Sequence, residues 1–311
     1  MSDRDPRIGW VGCGRMGTAM ATRLVAAGLD VTVTNRTRAK AEVLGGLGAT
    51  VVDSPRDLAD CDVVFIMVSA NADLLEVTKG PEGLLSDPSA APRIVVDCST
   101  VSIETSGAVR EACAARGAEF LAAPVSGNPK VVAAGKLTLA ISGPRGAFDA
   151  VRPYFDLLGH GFTYVGEAEV ARLVKICHNM MLGIVTQAMA EITVLAERGG
   201  VKRSAWLDFM NDSVVGSMFT RYKTPAFVNL DFSPTFTPTL LRKDFDLGMA
   251  AAYELDVPMP VSALCTEIVK SAIGAGYVDD DFAVLLLEAA RGAGLKMEPE
   301  NIVIDDGLGV A

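Results

Sequence analysis

Histidine is scarce in this 311-residue chain: His160 and His178 are the only two, too few to draw a histidine-based metal site from. The six cysteines, at 13, 61, 98, 113, 177 and 265, are scattered and never fall into a CxxC spacing. That argues against a zinc site and a disulfide framework, and it suits a reducing cytoplasm. No cluster of lysine and arginine interrupts the balance of 38 acidic to 28 basic residues, a formal charge of -10, so neither nucleic acid nor an anionic membrane is an expected partner. No run reaches the roughly 18 uninterrupted apolar residues of a membrane span, and MSDRDPRIGW at the start lacks the apolar core of a signal peptide. With 50% hydrophobic and 21% charged residues, the chain has the balance of a well-packed soluble protein and the length for two domains.

Short runs rich in Val and Ile alternate with helix-forming stretches through the first half. RIGWVG (7–12), VTVTN (31–35), DVVFIMV (62–68) and RIVVDCS (93–99) read as buried parallel strands. Residues 15–27, 38–46 and 102–116 have helical composition, so βαβ units and a doubly wound sheet are expected. Further strands are expected near 118–124, 136–142 and 162–166, with a helix near 146–157. Beyond Gly166 the pattern is helical and free of proline from 167 to 199. The remainder reads as more helices, broken at Pro225, Pro234, Pro238, Pro258 and Pro260. Thr237 and Pro238 mark the start of one of them, LLRKDFDLGMAAAYEL (240–255). Arg221, Tyr222 and Lys223, in SMFTRYKTPAF, read as part of a solvated polar loop, with positive charge lent to a larger or more anionic substrate as the competing reading.

IGWVGCGRMGTAMATRL sets Gly12-x-Gly14-x-x-Gly17 directly between a strand and a helix. Gly12 permits the tight turn, Gly14 lets backbone approach a pyrophosphate, and Gly17 lets helix and strand pack closely. The first helical residues, Arg15 and Met16, then offer N–H groups and the positive end of the helix dipole to the phosphates. The expected architecture is a Rossmann-type α/β domain over 1–166 that binds a dinucleotide, followed by an all-α domain over 167–311. At the end of the second strand an NAD site usually carries Asp or Glu; this chain has Asn35-Arg36-Thr37. With no carboxylate to repel it, a 2′-phosphate could be bonded by Asn35 and Thr37 and paired with Arg36, so NADP(H) is preferred and NAD(H) remains possible. Arg36 as a plain solvated charge is the competing reading.

RLVKICHNMM (172–181) places Lys175 and Asn179 four residues apart in an apolar stretch, one turn apart on one helix face. A lone lysine in such a place commonly snorkels to solvent. A lysine partly desolvated there instead shifts toward neutral pH, where it can both give and take a proton.

GCGRMGTAMA (12–21), DCST (97–100), AAPVSG (122–127), KICHN (175–179) and LLRKDFDL (240–247) occur in one order over nearly the full length. In this set the chain resembles the β-hydroxyacid dehydrogenases, a family that includes 3-hydroxyisobutyrate dehydrogenase and glyoxylate/succinic semialdehyde reductases and is related to 6-phosphogluconate dehydrogenase. The resemblance implies a nicotinamide-linked oxidoreductase of small hydroxyacids or aldehyde-acids, with Lys175 as proton donor and acceptor and Asn179 beside it. It implies that Ser126, Gly127 and Asn128 hold the substrate carboxylate and that Thr100 meets the nicotinamide or the substrate. Val68, Ser69 and Lys243 are implied cofactor contacts; apart from the resemblance, apolar helical surface in the second domain suggests a homodimer or homotetramer. No metal is needed for this chemistry. Asn128-Pro129 replaces the family's usual glycines and points to an altered substrate. Cys98 and Cys177 read as small packing residues. Imine reduction, and cofactor binding without turnover, are the two competing readings.

Overall fold

Every residue of β1 (Ile8–Val11) is buried, and the same holds for two later strands whose sequences are equally unbroken in apolar character. A strand covered on both faces has no polar side to alternate with, which is why these runs do not read as amphipathic. In the computed structural model, which describes residues 6–309, β1 is followed by α1 (Arg15–Ala26), β2 (Val31–Thr34), α2 (Arg38–Gly45), β3 (Thr50–Val51), β4 (Val63–Ile66) and α3 (Asn71–Lys79). Then come β5 (Ile94–Asp97), α4 (Ile103–Ala114), β6 (Glu119–Ala122), β7 (Val125–Ser126), α5 (Pro129–Ala133), β8 (Thr138–Ser142), α6 (Arg145–Leu158) and β9 (Gly161–Gly166). The first five residues of the MSDRDPRIGW stretch lie outside the described residues.

The sheet runs β3-β2-β1-β4-β5-β6-β8-β7, with β9 on the free side of β8. From β3 to β6 all pairings are parallel, the order of a dinucleotide-binding sheet. The chain reverses between β1 and β4, so the turns after these two strands open side by side at the carboxyl edge. Ile8, Trp10, Val63, Phe65, Ile94 and Val96 pack on one face against Met20, Leu24 and Phe155. Val11, Val64, Ile66 and Val95 pack on the other against Leu74 and Val109. Beyond β6 the parallel rule ends, because β8 runs antiparallel to both β6 and β7. The two-residue strands β3 and β7 are too short for any periodicity to show, and α3 starts without a side-chain cap, so the sequence does not announce them.

The chain divides into two compact units, Met1–Lys175 and Ile176–Ala311, and the division falls inside one helix, α7 (Val170–Arg198). By length and composition α7 is apolar enough to cross a membrane, and half of its most apolar window is buried within the protein. The second unit continues with α8 (Arg203–Asp212), α9 (Met218–Asn229), α10 (Pro238–Glu254), α11 (Pro260–Gly274) and α12 (Leu285–Gly292). As the sequence indicated, Thr237 caps α10 by accepting from the Leu240 amide.

The Arg221–Lys223 segment corrects the expectation of a solvated loop. It lies inside α9, which runs through Pro225, and Lys223 is buried. Its Nζ donates to Asp281 Oδ1 at 2.5 Å and sits 4.2 Å from the centre of the Phe282 ring. Burial lowers the Lys223 pKa, while the Asp281 carboxylate works in the opposite direction. Asp281 also accepts from the Thr235 and Ala283 amides, so the polar residues that looked like a loop fasten three segments together.

Two helices of this unit approach closely at a glycine. A Cβ at Gly183 on α7 would lie 2.4 Å from Phe245 Cε2 on α10, and Phe245 is fully buried with little room to withdraw. Gly183→Ala is therefore expected to cost about 1–3 kcal/mol by overpacking, read as a lower Tm in thermal melts. An unchanged Tm would show that the two helices can separate without loss.

Candidate active site

In the glycine turn after β1, two glycines serve the fold and the third stands open. Gly12 has φ +97°, and a Cβ there would meet Met67 O at 2.2 Å. A Cβ at Gly17 would meet Gly12 O at 1.9 Å, so helix and turn are in backbone contact. Around Gly14 there is open space: an added Cβ meets nothing within 4 Å. Gly14 is the N-cap of α1, which has no side-chain cap and no acidic residue in its first turn. Gly14 and Arg15 are exposed and Met16 is partly so. An open glycine beside a helix N-terminus without a competing carboxylate fits the pyrophosphate of a dinucleotide.

Asn35, just past β2, faces this turn. Its Oδ1 accepts from the Cys13 amide at 2.8 Å and its Nδ2 donates to Thr37 O at 3.0 Å. The amide thus braces the glycine turn from the side, a role the sequence alone does not show. Arg36 is 89% exposed along its side chain and pairs with Asp73 at 3.2 Å. An exposed pair of this kind contributes about 1 kcal/mol or less, so the guanidinium can readily exchange its partner for a phosphate.

At the ends of β4 and β5 the backbone is held by a buried polar centre. Ser99 Oγ accepts from the Val68 amide at 2.9 Å, and the Ser99 amide donates to Asp97 Oδ1 at 3.0 Å. Asp97 and Ser99 are fully buried; Thr100, the next residue, is partly exposed. Val68 is therefore tied to the DCST segment, while Ser69 is exposed beside it. Cys98 is fully buried and burial pushes its thiol pKa up, as suits a packing residue. Cys177 does not follow: it is exposed.

Ser126 lies in β7, paired with Thr138, with Gly127 exposed beyond it. Asn128 is the N-cap of α5: its Oδ1 accepts from the Val131 amide at 3.0 Å, and Pro129 occupies the first helical position. Proline belongs there because its missing N–H would find no helical acceptor. The Asn-Pro pair that departs from the family pattern is thus a helix start, with the Asn128 carbonyl oxygen committed to the cap.

Lys175 closes the first unit and is half-buried. One turn ahead of it in α7, Arg172 reaches Asp97 Oδ2 at 2.5 Å and Ser99 O at 2.6 Å. In the second unit, buried Asn179 donates from Nδ2 to Asp244 Oδ2 at 2.5 Å, and its Oδ1 lies 3.0 Å from His178 Nδ1. A carboxylate can only accept, so Asp244 fixes which end of the Asn179 amide faces it. Lys243 is about 41% exposed, with its Nζ 3.7 Å from Asp244 Oδ1. The residues the sequence reading missed are Arg172 and the orienting role of Asp244. The first carried a signal, an arginine at an apolar position of KICHN's own helix. For the second, the resemblance marked the Lys-Asp pair of LLRKDFDL but not its bond to Asn179, which spans 65 positions.

Residues 7–166 match the family model for the NAD binding domain of 6-phosphogluconate dehydrogenase. Residues 170–288 match the one described as NAD-binding of NADP-dependent 3-hydroxyisobutyrate dehydrogenase. Glyoxylate/succinic semialdehyde reductase 1 of Arabidopsis thaliana is 32% identical over 280 residues, 90% of this chain and 96% of that one. The chloroplastic reductase 2 of the same plant is 30% identical over 287 residues, 91% of this chain and 80% of that one. Among solved structures, the 3-hydroxyisobutyrate dehydrogenase of Salmonella typhimurium superposes with a TM-score of 0.81 at 26% identity, covering 91% of this chain and 100% of that chain.

Proposed function

The chain belongs to the β-hydroxyacid dehydrogenase family, and from that premise we propose that it interconverts a short β-hydroxyacid and its aldehyde-acid with NADP(H), using Lys175 as proton donor and acceptor. One observation carries this reading. In the first unit the end of β4, the DCST strand end and the helix turn bearing Lys175 are joined through Ser99 and Arg172, and the end of β4 is tied to the residue before the glycine turn, the Met67 amide donating to Val11 O at 2.9 Å. When bound, the nicotinamide supplies or receives the hydride at the carbon bearing the oxygen. Gly14 and the first turn of α1 would hold its pyrophosphate, with Val68 and Ser69 as further contacts.

The chain's own residues then handle the proton and the carboxylate. Lys175 gives a proton to the carbonyl oxygen as it becomes a hydroxyl, and takes it back in the opposite direction. Asn179, its amide held by Asp244, orients that oxygen or the lysine. The Ser126 hydroxyl and the N–H groups of Gly127 and Asn128 grip the substrate carboxylate, and Thr100 lies at the end of the DCST segment to meet either ligand. Because Asn128 is spent largely on capping α5, the short aldehyde-acids named in the relatives, glyoxylate and succinic semialdehyde, stay in scope together with 3-hydroxyisobutyrate. Preference for NADP(H) is supported by the absence of a carboxylate after β2 and by the loosely paired Arg36, with the Thr37 hydroxyl beside it.

A panel of short aldehyde-acids, followed by loss of nicotinamide absorbance with NADPH and with NADH, tests the proposal. We expect turnover with at least one acid and a lower KM for NADPH. Equal constants for both cofactors would sink the NADP(H) preference, and silence across the panel would sink the reaction. A homodimer or homotetramer is supported by exposed apolar side chains on the second unit, Ile192 and Leu195 on α7 with Val261 and Leu264 on α11. Sedimentation at micromolar concentration should give at least a dimer; a monomer would contradict it.

A further inference from the structure

An arginine with 1% of its surface exposed is an unusual element in the first turn of an otherwise apolar helix. All three nitrogens of the Arg172 guanidinium are engaged, and all in the first unit. Nε donates to Ser106 Oγ on α4 at 3.0 Å, Nη1 to Ser99 O at 2.6 Å, and Nη2 to Asp97 Oδ2 at 2.5 Å. Asp97 in turn accepts from the Ser99 amide. The planar fork therefore fixes both the rotation of the first turn of α7 and its distance from the β5 end, which a flexible ammonium could not do.

The approach to the helix is fixed as well. Arg110 on α4 donates to Glu169 Oε1 at 2.5 Å and to Ala168 O at 2.7 Å. Ser142 Oγ donates to the same carbonyl at 2.7 Å and accepts from the Ala171 amide at 3.1 Å. Ala168 is held at φ +51°, a strained backbone for a residue with a Cβ. Chain entry and first turn are thus pinned from two sides, and Lys175 follows Arg172 by three residues, under one turn of helix.

We propose that Arg172, paired with Asp97, is the positioning residue for Lys175: it sets the register of the first turns of α7, residues 170–175, against the Ser99–Thr100 segment so that the lysine ammonium stands at one fixed place beside the ligands of that segment. This rests on the reading of Lys175 as the proton donor. A simpler role is available, that of a buried ion pair holding the fold together. Such pairs give little net stability over apolar packing of the same volume, so stability by itself does not account for one here.

The two roles separate in Arg172→Lys, which keeps the charge but loses the fork, and in Ser106→Ala, which removes one acceptor and leaves the Arg172–Asp97 pair whole. A displacement of about 1 Å at a reacting group can cost on the order of 100-fold. The expected result is a kcat about 10- to 100-fold lower in Arg172→Lys and several-fold lower in Ser106→Ala, with KM for NADPH near wild type. A second readout needs no turnover. In apo protein reductively methylated with ¹³C-formaldehyde, the resonance absent from Lys175→Ala identifies Lys175, and its NMR titration midpoint should move in both variants. Faster amide hydrogen exchange over 170–178 should accompany it.

A wild-type kcat, pH profile and Lys175 titration in Ser106→Ala and in folded Arg172→Lys would overturn the proposal, whatever happened to Tm. Should Arg172→Lys fail to fold, Ser106→Ala decides alone by the same criteria. If Lys175→Ala itself keeps wild-type turnover, the acid–base reading fails first, and that outcome is distinct from an inactive Lys175→Ala beside unaffected Arg172 variants.

Discussion

Lys175→Ala is expected to lower kcat by about 10²- to 10⁴-fold, the usual worth of a placed general acid, while NADPH binding followed by fluorescence stays within a few-fold of wild type. The separation of the two readouts follows from where the parts sit. The glycine turn, Asn35 and the Ser99 centre are held by bonds among the ends of β1, β2, β4 and β5. Truncating the lysine removes a proton source and leaves that framework standing. Lys175→Arg is the informative companion: an arginine keeps a positive charge but cannot lose a proton in this pH range. If the lysine served only to attract an anionic substrate, arginine would restore turnover. If it transfers the proton, Lys175→Arg should stay as slow as Lys175→Ala, with a KM for the acid closer to wild type. Full activity in Lys175→Ala would end the acid–base assignment.

How far the sequence carried the reading differs between the two units for physical reasons. In the first, the runs of β1, β4 and β5 and the GxGxxG turn are local signals: a strand covered on both faces is apolar throughout, and a backbone contact such as Gly17 on Gly12 leaves glycine as the residue that fits. Asn35 shows the limit of such reading. Its place after β2 suggested a ligand contact, whereas the folded chain spends its amide on Cys13 and Thr37. Lys223 shows it again. A Arg-Tyr-Lys string looks solvated until Asp281, 58 positions on, arrives to pair with the lysine. Asn128-Pro129 was legible as a departure but not as a helix start, because a five-residue helix has no period to recognise. Arg172 belongs to the same class: its partners Asp97, Ser99 and Ser106 lie 66 to 75 positions away.

Gly14→Val and Gly17→Val, compared side by side, should part binding from folding within one motif. Gly14 has φ −72° and ψ −176°, a conformation open to any residue, and an added Cβ meets nothing within 4 Å. Gly14→Val should therefore fold with a Tm close to wild type. Its side chain would occupy the space through which a pyrophosphate comes within reach of the α1 N-terminus. Losing hydrogen bonds to a charged group, at about 1.5–3 kcal/mol each, corresponds to a roughly 10- to 100-fold rise in the NADPH dissociation constant. Gly17→Val meets a different obstacle, since its Cβ would lie 1.9 Å from Gly12 O, a backbone atom fixed in the turn. Helix α1 would have to move off the sheet, and the cost should reach the upper part of the about 1–3 kcal/mol range of overpacking or exceed it. Thermal melts and NADPH titration of the two proteins give the test. The pattern expected is a stable Gly14→Val that binds poorly and a Gly17→Val that is unstable before binding is even measured. A stable Gly14→Val with wild-type affinity would mean that the dinucleotide does not approach this turn, and the cofactor site would have to be sought elsewhere on the sheet.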